Sequence, residues 1–142
     1  MSMADVMSAT KRSRLMKRVK QCDTVPELLV RRELHRLGLR FRLHLKSLPG
    51  SPDLVLPRHG VAIFAHGCFW HGHTCRAGRS PTTNATYWIQ KLEANRARDR
   101  RKARELRSLG WRVLTIWECR LRSPEVFSRT MERVTRHIHM GR

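Results

Sequence analysis

The sequence predicts an α/β fold in which a mixed β-sheet lies between helices, and three observations predict it. A chain of 142 residues normally makes one domain, burying roughly 68–70% of the surface its unfolded form exposes, and 40% hydrophobic content supplies a core. Segments of helical and of strand periodicity are interleaved in the order helix, three strands, helix, strand, helix. The succession of strand, long helix and strand near the end demands a crossover, and therefore at least one parallel pairing. No apolar run approaches the ~18 residues of a membrane span, so the expectation is a soluble globule.

Each element has a local reason. Thr24-Val-Pro-Glu27 has the spacing of a capping box, and Leu29, Val30, Leu34 and Leu37 form an apolar face before Gly38, predicting a helix over 25–37. Phe41, Leu43 and Leu45 alternate with Arg42 and His44, a half-buried strand that ends in the turn residues of 48–52. A second strand, 53–56, follows at once. After the turn Pro57-Arg-His-Gly60, the continuous apolar run 61–65 reads as a central third strand, and the three should form an antiparallel meander. Residues 66–84 carry no periodicity and form a loop of unusual length. From about Thr86, the residues Trp88, Ile89, Leu92, Ala103 and Leu106 mark a long basic helix closed by Gly110. Trp111 to Trp117 is the fourth strand, with both tryptophans expected in the core. Ser123-Pro-Glu125 opens a last helix through Ile138.

The chain carries 30 Lys+Arg against 11 Asp+Glu, a formal charge of +19. A polyanion must neutralise it, and nucleic acid is the usual one. The charge is uneven: residues 1–46 hold 12 basic and 4 acidic residues, residues 91–122 hold 11 and 4, and residues 47–90 hold three arginines. Residues 1–22 read as a basic arm, either frayed or ordered by its partner, ahead of a single domain over 23–142. The first residues lack an apolar targeting core, which predicts a cytosolic, nucleoid-associated protein. In that reducing compartment cysteines favour metal over disulfides.

Chemistry-bearing residues concentrate in the weakly charged middle. His66-Gly-Cys68-Phe-Trp-His71-Gly-His73-Thr-Cys75 sets two cysteines and three histidines in ten residues, with Cys119 after the last strand. Zinc takes four N or S ligands, so Cys68, Cys75, Cys119 and one histidine make a structural site and leave a histidine for acid/base work. Cys22 has no partner at metal spacing. Asp53 either caps its turn or binds a hard cation, and Glu27 either completes the capping box or joins Asp53. Phe69 and Trp70 are neighbours that face opposite ways in extended chain, so at least one is exposed, and Trp88 could join it as a stacking or wedging group.

These residues resemble a family. Ser47-Leu-Pro-Gly-Ser-Pro-Asp53, Ile63-Phe-Ala-His66-Gly-Cys-Phe-Trp-His71, Trp88 with Lys91 and Asn95, Arg98-Asp-Arg-Arg101, and Leu109-Gly-Trp-Arg-Val-Leu114 before Trp117-Glu-Cys119 are similar to the very-short-patch-repair (Vsr) mismatch endonucleases, over about Met16 to Arg122. The resemblance implies a restriction-endonuclease-like fold with structural zinc, acting as a monomer. It implies Mg²⁺-dependent nicking of one strand of double-stranded DNA at a T:G mismatch, in the company of mismatch-repair proteins.

Position by position, it implies Asp53 as the Mg²⁺ ligand, with the backbone carbonyl of Ala65, and His71 as the acid/base that activates water. Glu27 and His66 would hold waters of the cation. Cys68, His73, Cys75 and Cys119 would hold zinc. Phe69, Trp70 and Trp88 would wedge beside the mismatch, with Met16 in the opposite groove and Lys91 and Asn95 on the DNA. The chain departs from the family at Ala65, where threonine is usual, and at Gly72, which interrupts a histidine run. Two other functions use the same charge and metal: a zinc-stabilised binding module without catalysis, and a restriction-type nuclease that cuts matched sequence.

Overall fold

The structure is a computed structural model that describes residues 24–75, 78 and 81–140. The expected arm, with Met16 and Cys22, lies outside the described residues. The elements run α1 (Val25–Arg36), β1 (Arg42–Leu43), β2 (Leu54–Leu56), β3 (Val61–His66), α2 (Ala85–Ser108), β4 (Arg112–Trp117), a 3₁₀ turn (Glu118–Leu121) and α3 (Pro124–Met140). Among the described residues four strands pair in the order β1-β2-β3-β4. The first three form an antiparallel meander, and β4 lies parallel to β3 with Ala65 opposite Ile116 and His66 opposite Trp117. This is the expected mixed sheet, with α2 as the crossover.

The apolar alternation assigns the faces. Leu54, Leu56, Val61, Ile63 and Ile116 pack with Val30 and Leu34 of α1 and with Met131, Val134 and Ile138 of α3 in one core. Val55 and Ala62 point the other way and are also fully buried. There α2 crosses the sheet: Gly50 lies against both Phe64 of β3 and Lys102 of α2, and Leu92 and Leu106 are buried. Burial on both faces is why 61–65 reads as an unbroken apolar run.

The helix ends follow local chemistry with one exception. Ser123 Oγ accepts the Val126 N–H at 3.2 Å, the expected cap of α3. Gly110 takes φ +95° after α2, and Trp111 N–H returns to the Leu106 carbonyl at 3.1 Å. Thr24 occupies the N-cap of α1 but makes no side-chain cap bond. The expected capping box is therefore absent, because Glu27 turns inward and is 1% exposed.

Two other expectations are corrected. The first strand keeps only Arg42 and Leu43 of the predicted 41–45, because His44 leaves extended geometry at φ +47°. Trp111 and Trp117 are half-buried at the ends of β4 rather than in the core.

Candidate active site and metal centre

Strand directions bring distant residues together. Because β2 runs against β3 and β4 runs with it, the start of β2 (Asp53) and the ends of β3 (Ala65, His66) and β4 (Trp117) meet at one end of the sheet. Open parallel sheets bind ligands at such carboxyl ends. The loop after β3 folds back over this end, with His71 N–H donating to Gly67 C=O and His73 N–H to Cys68 C=O at 3.3 and 3.0 Å.

Asp53 and Glu27 form the first group. Asp53 Oδ2 accepts the Ala65 N–H at 2.8 Å. Glu27 reaches the same place from α1, pairs with Arg31 and lies 2.8 Å from His44 Nε2. Glu27, His44 and Asp53 each place one ligand atom within 4.8 Å of the others. Burial pushes the Asp53 carboxyl up to about 6, and the neighbouring Glu27 charge adds to this while the Ala65 N–H opposes it. A buried and a half-buried carboxyl so close together would be held charged more readily by a bound cation.

His66, His71 and Asp99 form the second group. The two imidazoles stack with centroids 3.6 Å apart and planes within 4°. Burial lowers His66 to about 3, with the adjacent His71 contributing, so it stays neutral at working pH. Its Nδ1 is buried without a hydrogen-bond partner, as suits a ring that meets water or a cation when the site is filled. His71 Nδ1 lies 2.6 Å from Asp99 Oδ2 on α2. Burial raises Asp99, but the His71 hydrogen bond, with the electrostatic pull of His71 and Arg98, outweighs it and holds the carboxyl below its usual range.

Cys68, His73, Cys75 and Cys119 form the third, with ligand atoms within 4.8 Å of one another. Cys119 Sγ stands 3.7 Å from His73 Nδ1; ligands at tetrahedral zinc, with bonds of about 2.0–2.3 Å, stand about 3.3–3.8 Å apart. Burial pushes the Cys68 thiol up to about 12, while the Cys119 N–H donates to its sulfur at 3.3 Å and opposes the shift. Such a thiol ionises readily only against a cation, so these residues fit a thiolate-bound divalent ion. Trp117 stacks on His73 at 4.1 Å and meets His66 edge-on at 5.2 Å, joining this centre to the histidine pair.

The aromatics depart from expectation. Phe69 and Trp70 do not face opposite ways, because residues 69–72 form turns and not extended chain. They touch at 5.1 Å, and Trp88 of α2 lies 5.2 and 6.0 Å from them, making one half-buried cluster beside exposed Tyr87. Asn95, expected on DNA, is 1% exposed; its Nδ2 donates to the Trp70 carbonyl at 2.8 Å and its Oδ1 accepts from Arg98. Asn95 positions the aromatic loop from inside. Lys91 sits half-buried on the same helix.

Asp99, His44 and Arg96 were not singled out from the sequence. The signal for Asp99 was present: Trp88, Leu92, Asn95 and Asp99 follow the spacing of one helix face, and that face turns to the site. Arg96 Nη1 donates to the Gly72 carbonyl at 2.8 Å, between the two histidines of the loop.

A DNA mismatch endonuclease (Vsr) family model matches residues 4–77. The chain belongs to the Vsr family. The Vsr mismatch endonuclease of Escherichia coli K12 is 44% identical over 123 residues, which cover 87% of this chain and 79% of that one. The type II nicking enzyme V.XorIIP of Xanthomonas oryzae pv. oryzae is 51% identical over 119 residues, 84% and 88% of the two chains. The type II nicking enzyme V.NmeAIP of Neisseria meningitidis serogroup A is 37% identical over 136 residues, 96% and 97%. As a Vsr protein, this chain is a DNA endonuclease of restriction-endonuclease-like fold. Among the described residues no helix is long and apolar enough to cross a membrane.

Proposed function

We propose that this endonuclease nicks one strand of duplex DNA beside a T:G mismatch, with Mg²⁺ at Asp53 and zinc at Cys68, His73, Cys75 and Cys119, in very-short-patch mismatch repair. The observation that carries this reading is the His71–Asp99 pair beside the half-buried carboxyl of Asp53 and the buried one of Glu27. A base and a hard-cation site on one sheet end are the two parts that phosphodiester hydrolysis needs.

Asp99 accepts a hydrogen bond from His71 Nδ1–H, which leaves Nε2 free to take a proton from the attacking water. As the ring becomes positive, the carboxylate steadies it. His66, kept neutral by burial, supports the ring without adding a competing charge. Asp53 and Glu27 would hold the cation. The Ala65 carbonyl would join them, since N–H and C=O of one strand residue point the same way and its N–H meets Asp53. The cation supplies positive charge to the transition state and the leaving oxygen.

Recognition falls to the loop and to charge. Phe69, Trp70 and Trp88 form a wedge that can enter an unstacked step, and a mismatched step costs least to open. Lys91, the arginines of α2 and the arm over 1–22, with Met16, position the duplex through its phosphates and grooves. Affinity should fall steeply with salt and mismatch preference much less. The place of action is the cytoplasm and nucleoid, as a monomer that meets other repair proteins on DNA.

The test is a nicking assay with Mg²⁺ on otherwise identical T:G and T:A duplexes. A nick in the T:G duplex alone is the expected result. Tight binding without a nick in either would leave a zinc-stabilised binding module, and equal cutting of both would mark a matched-sequence nuclease.

A further inference from the structure

His44 has no part in the chemistry above, yet it stands inside the cation site. Its backbone N–H donates to the Asp53 carbonyl at 3.2 Å, just beyond the Leu43–Leu54 pair that ends the β1–β2 ladder. The chain turns at His44 as it leaves β1, and the imidazole comes to lie beside the Asp53 carboxylate and Glu27. Nε2 reaches to 2.8 Å from Glu27 Oε2. A φ of +47° is costly for a residue with a Cβ, and such conformations persist where the surroundings hold a side chain in place. Three ligand atoms, one each from Glu27, His44 and Asp53, lie within 4.8 Å of one another.

We propose that His44 is a nitrogen ligand of the catalytic cation site, so that Glu27, His44 and Asp53 present a mixed nitrogen and oxygen donor set. This rests on the assignment of Asp53 as cation ligand. Mg²⁺ takes oxygen ligands and gains little from imidazole, whereas a transition-metal ion such as Mn²⁺ gains from both. The site therefore discriminates in favour of Mn²⁺, and His44 is the source of that preference. Arg31 contacts the same Glu27 oxygen and moves aside, or shares the carboxylate, when the site fills.

The test uses the zinc-loaded full chain, whose thiolate centre is already occupied. Mn²⁺ binding is followed by electron paramagnetic resonance, with pulsed detection of ¹⁴N coupling, and Mg²⁺ binding by competition. The wild-type protein should show directly coordinated nitrogen. His44→Gln should lose that coupling and weaken Mn²⁺ by ~10-fold while Mg²⁺ changes less than ~3-fold, and His66→Asn should keep the coupling. Absence of nitrogen coupling in the wild type overturns the proposal without relying on any variant's folding. So does coupling lost with His66→Asn but kept with His44→Gln, or equal weakening of both cations by His44→Gln. Asp53→Asn separates the two levels: if it leaves both cations bound as before, the assignment of the site itself has failed.

Discussion

Asp99 Oδ2 stands 2.6 Å from His71 Nδ1, and this contact selects the tautomer that leaves Nε2 able to accept a proton. The sequence separates the two residues by 28 positions, and only the packing of α2 against the sheet end joins them. In Asp99→Asn the new amide can donate to Nδ1 and hold the proton on Nε2, which blocks the base. The single-turnover nicking rate should fall by about 10² to 10⁴, the scale seen when a base is held in the wrong tautomer. Affinity for the duplex should change little. A rate within threefold of wild type would remove Asp99 from the mechanism.

With Asp53 as the proposed cation ligand, activity and stability should respond to pH in opposite directions. Its carboxyl, raised to about 6 in the fold from an ordinary 3.8, is the case in which folding favours the protonated form. Its contribution to stability is full below pH 3.8 and is lost as pH rises through 6. In Mg²⁺-free buffer at pH 8, Asp53→Asn should therefore be the more stable protein, by up to about 3 kcal/mol. Urea midpoints taken from pH 8 to pH 4 should show the gap closing, and a less stable variant at pH 8 would contradict the assignment. Nicking should be lost in the same variant. In the wild type, Mg²⁺ affinity should weaken about tenfold per pH unit below 6, because the cation must displace the proton.

Cys119, after β4, stands against Cys68 in the loop after β3, so a metal bond there would close a contact between segments 51 residues apart. Cys119→Ser should lower bound zinc and reduce stability by on the order of 3 kcal/mol, about 10 °C in Tm. Metal analysis with a thermal melt checks both. Full zinc content in the variant would exclude Cys119 as a ligand.

Much of this molecule was legible before its structure was known, and the reasons differ by element. Strands β2 and β3 announce themselves through apolar runs, and the Gly110 and Ser123 caps bound the helices because local chemistry alone decides such ends. The cluster of Cys68, His73, Cys75 and Cys119 that could hold a metal was legible because three of its four residues crowd into the loop. Tertiary contacts took over elsewhere. Glu27 satisfies a capping spacing yet turns inward to pair with Asp53. His44 obeys strand alternation yet leaves the strand to meet that pair. Asp99 lies among arginines on α2, where a carboxylate resembles a solvated partner, and only its row with Trp88, Leu92 and Asn95 tells otherwise. Phe69 and Trp70 were misplaced because alternation holds only in extended chain.

Asn95 ties the aromatic cluster to the fold. Its side chain is buried and donates to the Trp70 carbonyl at 2.8 Å, which fixes one member of the aromatic cluster to the helix that carries Trp88. Asn95→Ala should release Trp70 without removing any charge. Binding to matched duplex should be unchanged, while preference for T:G over T:A should fall by about tenfold, the scale of one lost buried hydrogen bond. Competition binding with both duplexes distinguishes this from a direct DNA contact, whose loss would weaken both.

The interruption of the histidine run also has a physical reason. Gly72 adopts φ +59°, and a Cβ built there would stand 2.9 Å from Arg96 Nη1 and 3.3 Å from its Cγ and Cδ. Arg96 in turn donates to the Gly72 carbonyl at 2.8 Å, so the arginine fills the space and holds the peptide between His71 and His73. Gly72→Ala should then cost about 1–2 kcal/mol from backbone conformation, plus the displacement of Arg96. Arg96→Ala removes the collision but not the conformational cost. A double-mutant cycle by urea unfolding should show the two changes to be less than additive, with a coupling of about 0.5–1 kcal/mol. Strict additivity would mean that Arg96 shifts freely. The nicking rate should track the loop: Gly72→Ala slows it, because a displaced peptide at 72 moves His71 away from Asp99.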